Sequence, residues 1–177
     1  DSGVGGLTEA REIMRQIPEE RIIYFGDTAR LPYGSKSKDT IVRYSRQVIR
    51  FLKTKNVKAI VIACNTASSY ALETVQAESD IPLIGVINAG ARTAASVTRN
   101  GRIGVIGTEG TIGSGIYTEV IRKLRPGTEV IGKACPLFVP LVEEGLLHDS
   151  VTDEIASRYL SELKGKYIDT LVLGCTH

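Results

Sequence analysis

The sequence predicts an open α/β fold made of two similar halves. Three observations lead to this: short continuous apolar runs of strand length, apolar stripes at helical spacing between them, and a weak internal repeat. Continuous apolar runs are typical of strands that are buried on both faces of a parallel sheet. Strands that alternate with helices favour parallel connections, so we expect mostly parallel sheets.

The predicted strands are spread along the whole chain. They cover residues 21–25, 59–63, 83–86, 102–106, 170–173 and, more weakly, 129–132. Apolar residues that recur every three or four positions predict four amphipathic helices. Their stripes are Leu7, Ala10, Met14 and Ile17; Ile41, Tyr44, Val48 and Leu52; Ile116, Val120, Ile121 and Leu124; and Val151, Ile155, Tyr159 and Leu163.

The internal repeat relates residues 57–66 to residues 168–177. Each segment reads as an apolar strand, a small residue, a cysteine and a polar pair. Each also follows, at a similar distance, a Gly-rich turn that opens a helix, at residues 1–6 and 108–115. The matched order predicts a first half at residues 1–89 and a second half at residues 90–177.

Both ends of the sequence interrupt this pattern. The chain starts at Asp1 in a Gly-rich turn with no strand before it, and it stops at His177 just after a predicted strand. Such a turn normally follows a strand in an α/β fold. We therefore expect that a first strand and a C-terminal segment are missing from the sequence.

Composition excludes several classes of function. Lys and Arg number 22 against 20 Asp and Glu, a net charge of +2, which gives no support for a nucleic-acid partner. No apolar run approaches the roughly 20 residues that span a bilayer, so we expect no membrane partner. The three cysteines are far apart, which disfavours disulfides and structural zinc and fits the reducing cytoplasm.

Cys64 and Cys175 are the candidate reactive groups. Each follows a predicted strand, and ligand sites of open α/β sheets lie beyond the carboxyl ends of the strands. The polar pairs 65–66 and 176–177 are suited to cap a following helix, whose N-terminus would favour thiolate. Two facing thiols can invert a carbon centre without a cofactor. The alternative is that each cysteine is a small buried apolar residue, which is our interpretation of Cys135.

Other motifs leave alternatives open. The turn D-S-G-V-G-G could bind a carboxylate or phosphate through its backbone N–H groups, or serve only the backbone geometry. Thr8 replaces the third glycine of a dinucleotide fingerprint, so that fingerprint fails. The loop 31–35 could be a substrate lip or a plain turn. We place His148 on the surface, whereas the position of His177 beside Cys175 favours a functional role.

Five segments together resemble the glutamate racemase family of the aspartate/glutamate racemase superfamily. They are D-S-G-V-G-G-L-T at 1–8, F-G-D-T-A-R-L-P-Y-G at 25–34, A-C-N-T-A-S at 63–68, V-P-L-V-E-E-G at 139–145 and L-G-C-T-H at 173–177. The resemblance covers essentially the whole chain in the expected order, and A-C-N-T-A-S with C-T-H is closer to the glutamate branch than to the aspartate branch.

The resemblance implies two α/β domains related by pseudo-twofold symmetry, with the active site in the cleft between them. Family members continue beyond C-T-H, and that continuation completes the first domain. The implied activity is the interconversion of L- and D-glutamate without cofactor or metal, by a cytoplasmic enzyme that is often a homodimer. The D-glutamate would supply peptidoglycan synthesis.

The resemblance also implies roles for individual residues. Cys64 would take the α-proton from D-glutamate, assisted by Asp1. Cys175 would take it from L-glutamate, assisted by Glu143 and His177. The implied substrate-binding residues are Asp1, Ser2, Pro32, Tyr33, Gly34, Asn65, Thr66, Thr176 and His177.

Two alternatives stay open at this point. The first is a superfamily relative that acts on aspartate, a hydantoin or a malonate, which substrate profiling would reveal. The second is a ligand-binding α/β module without catalysis, whose buried cysteines would react slowly in a thiol titration.

Overall fold

The computed structural model describes residues 1–177 and confirms the α/β fold with parallel sheets. The nine helices are α1 (Leu7–Gln16), α2 (Lys38–Lys53), α3 (Asn65–Tyr70), α4 (Leu72–Ala77), α5 (Ile87–Val97), α6 (Glu109–Gly113), α7 (Ile116–Leu124), α8 (Phe138–Glu143) and α9 (Ser150–Ser161). The five strands are β1 (Ile60–Ile62), β2 (Leu83–Gly85), β3 (Arg102–Gly107), β4 (Glu129–Ala134) and β5 (Thr170–Gly174).

The strands form two separate parallel sheets. β1 pairs with β2 in the first, and β3 lies between β4 and β5 in the second. These five strands coincide with five of the six predicted apolar runs, with ends that differ by at most two residues. Short apolar runs therefore located the strands correctly.

The sixth prediction, a buried strand at 21–25, is wrong. The segment is irregular, and Ile22 and Ile23 are exposed. Near its end, the Asp1 N–H donates to Phe25 O at 2.9 Å and the Asp27 N–H donates to Asp1 O at 3.0 Å. Because it has no neighbouring strand to form a longer ladder, its apolar composition alone does not produce a strand.

The prediction that the strands are buried on both faces of the sheets is also wrong. In the first sheet Ile60, Ile62 and Leu83 are buried, whereas Val61 and Ile84 are 41% and 52% exposed. In the second sheet Leu171 and Leu173 of β5 are likewise exposed. Successive side chains of a strand point to opposite faces, so these exposed residues mark faces that no helix of this chain covers.

Each sheet carries its own hydrophobic core. The first core packs α2, α3 and α4 on β1 and β2, and includes Ile41 and Leu52 of the predicted α2 stripe. The second packs α5 and α7 on β3, with Ile103 and Ile121 fully buried. Helix α5 covers the expected boundary near residue 89 and packs against α7 and β5.

Two predicted stripes are less buried than their periodicity suggested. In α1 only Ala10 is buried, while Leu7, Met14 and Ile17 are about half exposed. In the α9 region Leu163 is buried but Val151 is exposed. The helices themselves form as predicted, because periodicity reports which face is apolar and not whether another element covers it.

The two halves meet at the carboxyl ends of their strands. The Gly110 N–H donates to Gly34 O at 2.9 Å, and a Cβ built on Gly34 would lie 2.3 Å from Thr108 Cβ. Only glycine, which has no Cβ, allows the backbone at position 34 to lie this close to Thr108. None of the helices is both long and apolar enough to span a lipid bilayer.

Candidate active site

A cavity of about 270 Å³ opens where β1, β3 and β5 end. It is lined by Ser2, Leu31, Tyr33, Gly34, Cys64, Asn65, Thr66, Thr108, Val139, Cys175, Thr176 and His177.

Most of the residues singled out in the sequence line this cavity, and three do not. Asp1 and Glu143 lie behind it, in contact with lining residues Thr176 and His177. Pro32 is exposed and outside the lining, although both of its neighbours belong to it. The two candidate cysteines, which are far apart in sequence, share one cavity.

Cys64 is buried at the N-terminus of α3. Its Sγ accepts a hydrogen bond from the Ala67 N–H at 3.5 Å, so Cys64 is itself the N-cap of this helix. The prediction that the pair 65–66 would cap the helix is therefore wrong. The chain enters α3 one residue earlier, which leaves the side chains of Asn65 and Thr66 free to bond to the second half.

Cys175 directly follows β5 and lies in a different electrostatic setting from the one expected. Burial raises the pKa of its thiol to about 11. A weak hydrogen bond from the His177 N–H to Sγ at 3.4 Å lowers this pKa, but by less than burial raises it. Removing a thiolate from water disfavours the charged form. Burial thus acts against the thiolate expected at Cys175 and favours the protonated thiol.

Asp1 occupies the Gly-rich turn. Its Oδ2 accepts hydrogen bonds from the N–H groups of Gly3 at 3.2 Å and Gly6 at 3.0 Å, and from Thr176 Oγ1 at 3.4 Å. The turn thus binds the protein's own carboxylate through two of its N–H groups. A Cβ on Gly5 would lie 2.5 Å from Thr176 O, so the turn packs closely against the Cys175 segment. The other carboxylate oxygen, Oδ1, is buried without a partner.

His177 and Glu143 form a pair beside Cys175. His177 Nε2 lies 2.5 Å from Glu143 Oε1, and Thr176 Oγ1 lies 3.3 Å from His177 Nδ1. Only 3% of the His177 side chain is exposed, compared with 35% for Glu143. A carboxylate that contacts one ring nitrogen fixes the orientation of the imidazole.

Tyr33 contributes its backbone more than its hydroxyl. The hydroxyl donates to the Asp27 carboxylate, which also pairs with Arg30 Nε at 2.6 Å. Burial, together with Asp27, raises the pKa of Tyr33 well above its usual range. The backbone N–H groups of Tyr33 and Gly34 have no partner within the protein, so they are available to bind an anionic group.

Three lining residues are not among the site residues predicted from the sequence: Leu31, Thr108 and Val139. Thr108 follows β3 as Cys64 follows β1, so the rule about the carboxyl ends of strands could have found it. Its Oγ1 lies 2.9 Å from Thr66 Oγ1, and it caps α6 through the Thr111 N–H at 3.2 Å. Leu31 belongs to the loop 31–35, for which a substrate lip was one of the two interpretations, and Val139 begins the segment 139–145 of the family resemblance.

The arrangement can support proton transfer at a carbon atom. Two thiols reach one cavity from different halves of the chain, and hydroxyl and backbone N–H donors surround them. Such donors stabilise negative charge that develops on a bound molecule. No group of three or more His, Cys, Asp or Glu side chains lies close enough together to hold a metal ion.

Comparisons with known proteins point to one family. The profile of the Asp/Glu/Hydantoin racemase family matches residues 8–177. The chain is 56% identical over 177 residues to a glutamate racemase from Geobacter metallireducens. The alignment covers 100% of this chain and 66% of that protein.

Solved structures agree with the sequence match. A glutamate racemase isoform from Bacillus anthracis superposes with a TM-score of 0.96 at 45% identity, over 100% of this chain and 66% of that one. A glutamate racemase from Francisella tularensis, solved in complex with D-glutamate, gives a TM-score of 0.93 at 45% identity with the same coverage. The chain thus spans about two thirds of the length of these relatives.

Proposed function

The chain belongs to the Asp/Glu/Hydantoin racemase family, and from this premise we propose that it interconverts L- and D-glutamate without a cofactor. The observation that carries the proposal is that Cys64 and Cys175, from different halves of the chain, line the same small cavity. A pair of thiols on opposite sides of one carbon atom provides the base and the acid that inversion requires.

The two thiols start in different roles. Cys64, as thiolate, removes the α-proton of D-glutamate, and an S–H bond forms as the C–H bond breaks. Cys175, whose burial keeps it protonated, gives its proton to the opposite face of the carbanion, which yields L-glutamate. The protein is left with a Cys64 thiol and a Cys175 thiolate, and the reverse reaction or exchange with solvent restores the first state.

The donors around the cavity make this proton removal possible. An amino-acid α-proton is a weak acid, so the carbanion needs stabilisation as it forms. The N–H groups of Tyr33 and Gly34 and the hydroxyl of Thr108 are fixed before substrate arrives. Removing one such preorganised donor costs about 3 kcal/mol at comparable sites.

The assisting groups have separate positions. The unpartnered Oδ1 of Asp1 is a free acceptor on the side of the Gly-rich turn, and the pair of His177 and Glu143 lies next to Cys175. We assign Asp1 to the Cys64 side and the His177–Glu143 pair to the Cys175 side. Ser2, Asn65, Thr66 and Thr176 bind the substrate's carboxylates and ammonium group.

The substrate assignment draws on the relatives. The Francisella tularensis protein binds D-glutamate, and a relative from Escherichia coli binds L-glutamate, at 45% and 33% identity to this chain. In the cell we assign the protein to the cytoplasm, as a homodimer that supplies D-glutamate for peptidoglycan.

Isotope labelling tests the mechanism. The natural full-length chain is incubated with L-glutamate in D2O, and both enantiomers are analysed at low conversion without added cofactor. We expect deuterium at the α-carbon of the D-glutamate formed, because its proton comes from the solvent-exchanged Cys64 thiol. The remaining L-glutamate stays largely protiated. Label that enters both pools equally would contradict the two-base mechanism, and turnover of aspartate or a hydantoin instead would contradict the substrate assignment.

Cysteine variants provide the matched control. Cys64→Ala and Cys175→Ala each remove one face of the reaction, so racemisation should disappear in both. Cys135 is buried outside the cavity, and Cys135→Ala should keep near-normal activity with a stability loss on the order of 1 kcal/mol. Substantial racemisation by either of the first two variants would defeat the proposal.

A further inference from the structure

A buried hydrogen bond between Tyr117 and Asn65 joins the two halves behind the cavity. Tyr117, in α7, donates its hydroxyl to Oδ1 of Asn65, at the start of α3, over 2.7 Å. The two residues are only 6% and 7% exposed. Asn65 lines the cavity and Tyr117 does not, so Tyr117 can influence a bound molecule only through another residue.

This bond sets the orientation of the Asn65 amide. The Oδ1 and Nδ2 atoms of an amide point apart, so fixing Oδ1 on Tyr117 turns Nδ2 away from it. Nδ2 has no hydrogen-bond partner within the protein. The only fully buried side-chain atoms without a partner are Asp1 Oδ1 and Thr128 Oγ1, so Nδ2 is not fully buried. Since Asn65 lines the cavity, we infer that Nδ2 lies on the cavity side, where its two N–H groups can donate to a carboxylate.

Tyr117 also contacts the segment that carries the second thiol. A Cβ built on Gly174 would lie 3.3 Å from Tyr117 Cε2, so the ring packs on the backbone just before Cys175. The hydroxyl meanwhile holds the residue just after Cys64. Burial raises the pKa of Tyr117 to about 12, which keeps the hydroxyl protonated and able to donate.

We propose that Tyr117 is a positioning residue for substrate binding: its hydroxyl holds the Asn65 amide with Nδ2 toward a substrate carboxylate, and its ring fixes the segment before Cys175. A released Asn65 amide could turn its carbonyl oxygen to the cavity, where it would repel a carboxylate. This inference rests on the proposed racemase function.

The test is a double-mutant cycle on the natural full-length chain. Tyr117→Phe removes the hydroxyl but keeps the ring on Gly174, and Asn65→Ala removes the amide. The dissociation constant of racemic glutamate, whose composition the reaction leaves unchanged, is measured by calorimetry for the wild type, both single variants and the double variant. We expect Tyr117→Phe to weaken binding by about tenfold, the effect of losing one hydrogen bond, with a smaller change in kcat. In the Asn65→Ala background the same substitution should change binding by less than about twofold, since coupled residues are not additive.

A second tyrosine provides the matched control. The hydroxyl of Tyr159 accepts a hydrogen bond from the Leu137 N–H at 3.3 Å, outside the cavity. Tyr159→Phe should leave glutamate binding unchanged. Urea unfolding of each variant separates stability from affinity: a lower midpoint with an unchanged dissociation constant in Tyr117→Phe would mean a structural role only, and overturn the inference.

The remaining outcomes are also decisive. An equal loss from Tyr117→Phe with and without Asn65 would overturn the inference while leaving the proposed function intact. A wild-type chain that binds no glutamate would overturn the proposed function and this inference with it.

Discussion

Alkylation of Cys175 should depend on pH in a way that no ordinary cysteine shows. The thiolate is the form that reacts with iodoacetamide, and burial raises the pKa of Cys175 from the usual 9.0 to about 11. At pH 8 the thiolate is then only about one part in a thousand of Cys175, compared with about a tenth of an ordinary thiol. A thiolate of higher pKa is also more nucleophilic, and over two pKa units this raises the rate per thiolate about eightfold. We therefore expect Cys175 to be alkylated about tenfold more slowly than an ordinary cysteine at pH 8.

The assay is timed alkylation at graded pH, followed by peptide-resolved mass spectrometry. Restricted access to the cavity would lower the rate at every pH alike, so the slope of the logarithm of the rate against pH isolates the ionisation. We expect this slope to stay near one up to about pH 10, and the same peptide in urea to level off near pH 9. A rate in the folded protein that levels off at or below pH 9 would refute the argument that burial controls this thiol.

The same shift affects stability. A raised pKa means that the folded state holds the Cys175 proton more tightly than the unfolded state. The contribution is therefore fully present below pH 9.0 and is lost as the pH rises through about 11. Two pKa units correspond to about 3 kcal/mol, so urea midpoints should fall over this range in the wild type and fall less in Cys175→Ala.

Two further substitutions test the contacts that position the halves. Gly34→Ala puts a Cβ 2.3 Å from Thr108 Cβ, so it should lower the free energy of unfolding in urea by about 1–3 kcal/mol and raise KM. Gly113→Ala, with open space around it, should change neither quantity. A Gly34→Ala variant with the stability and KM of the wild type would contradict the close approach. Asp169→Asn removes a carboxylate that accepts from the Thr98 hydroxyl and from two N–H groups of the turn 98–100, which hold its pKa well below the usual range. Its stabilising effect is present above about pH 4 and lost as the pH falls further, so wild type and variant should differ in thermal midpoint at pH 7 and converge in strong acid; a constant difference would count against it.

The sequence by itself determined the five strands, four of the nine helices (α1, α2, α7 and α9) and the two cysteines. Apolar runs located β1 to β5, because a strand that packs on a core needs a short run of apolar residues wherever it lies in the fold. The rule about carboxyl ends of parallel strands then placed Cys64 and Cys175 at strand ends, one in each sheet, and both residues line the cavity. These are local patterns, and the chain carries them without reference to its partners.

Tertiary structure decided everything that depends on a distant neighbour. Residues 21–25 are apolar but find no strand to pair with, and two N–H groups of the Gly-rich turn bind the Asp1 carboxylate. The protonated state of Cys175 comes from burial by residues far along the chain, and the orientation of Asn65 comes from Tyr117 in the other half. Hydrogen-bond direction and desolvation depend on atoms within a few ångströms in space, and sequence spacing carries no record of which atoms those are.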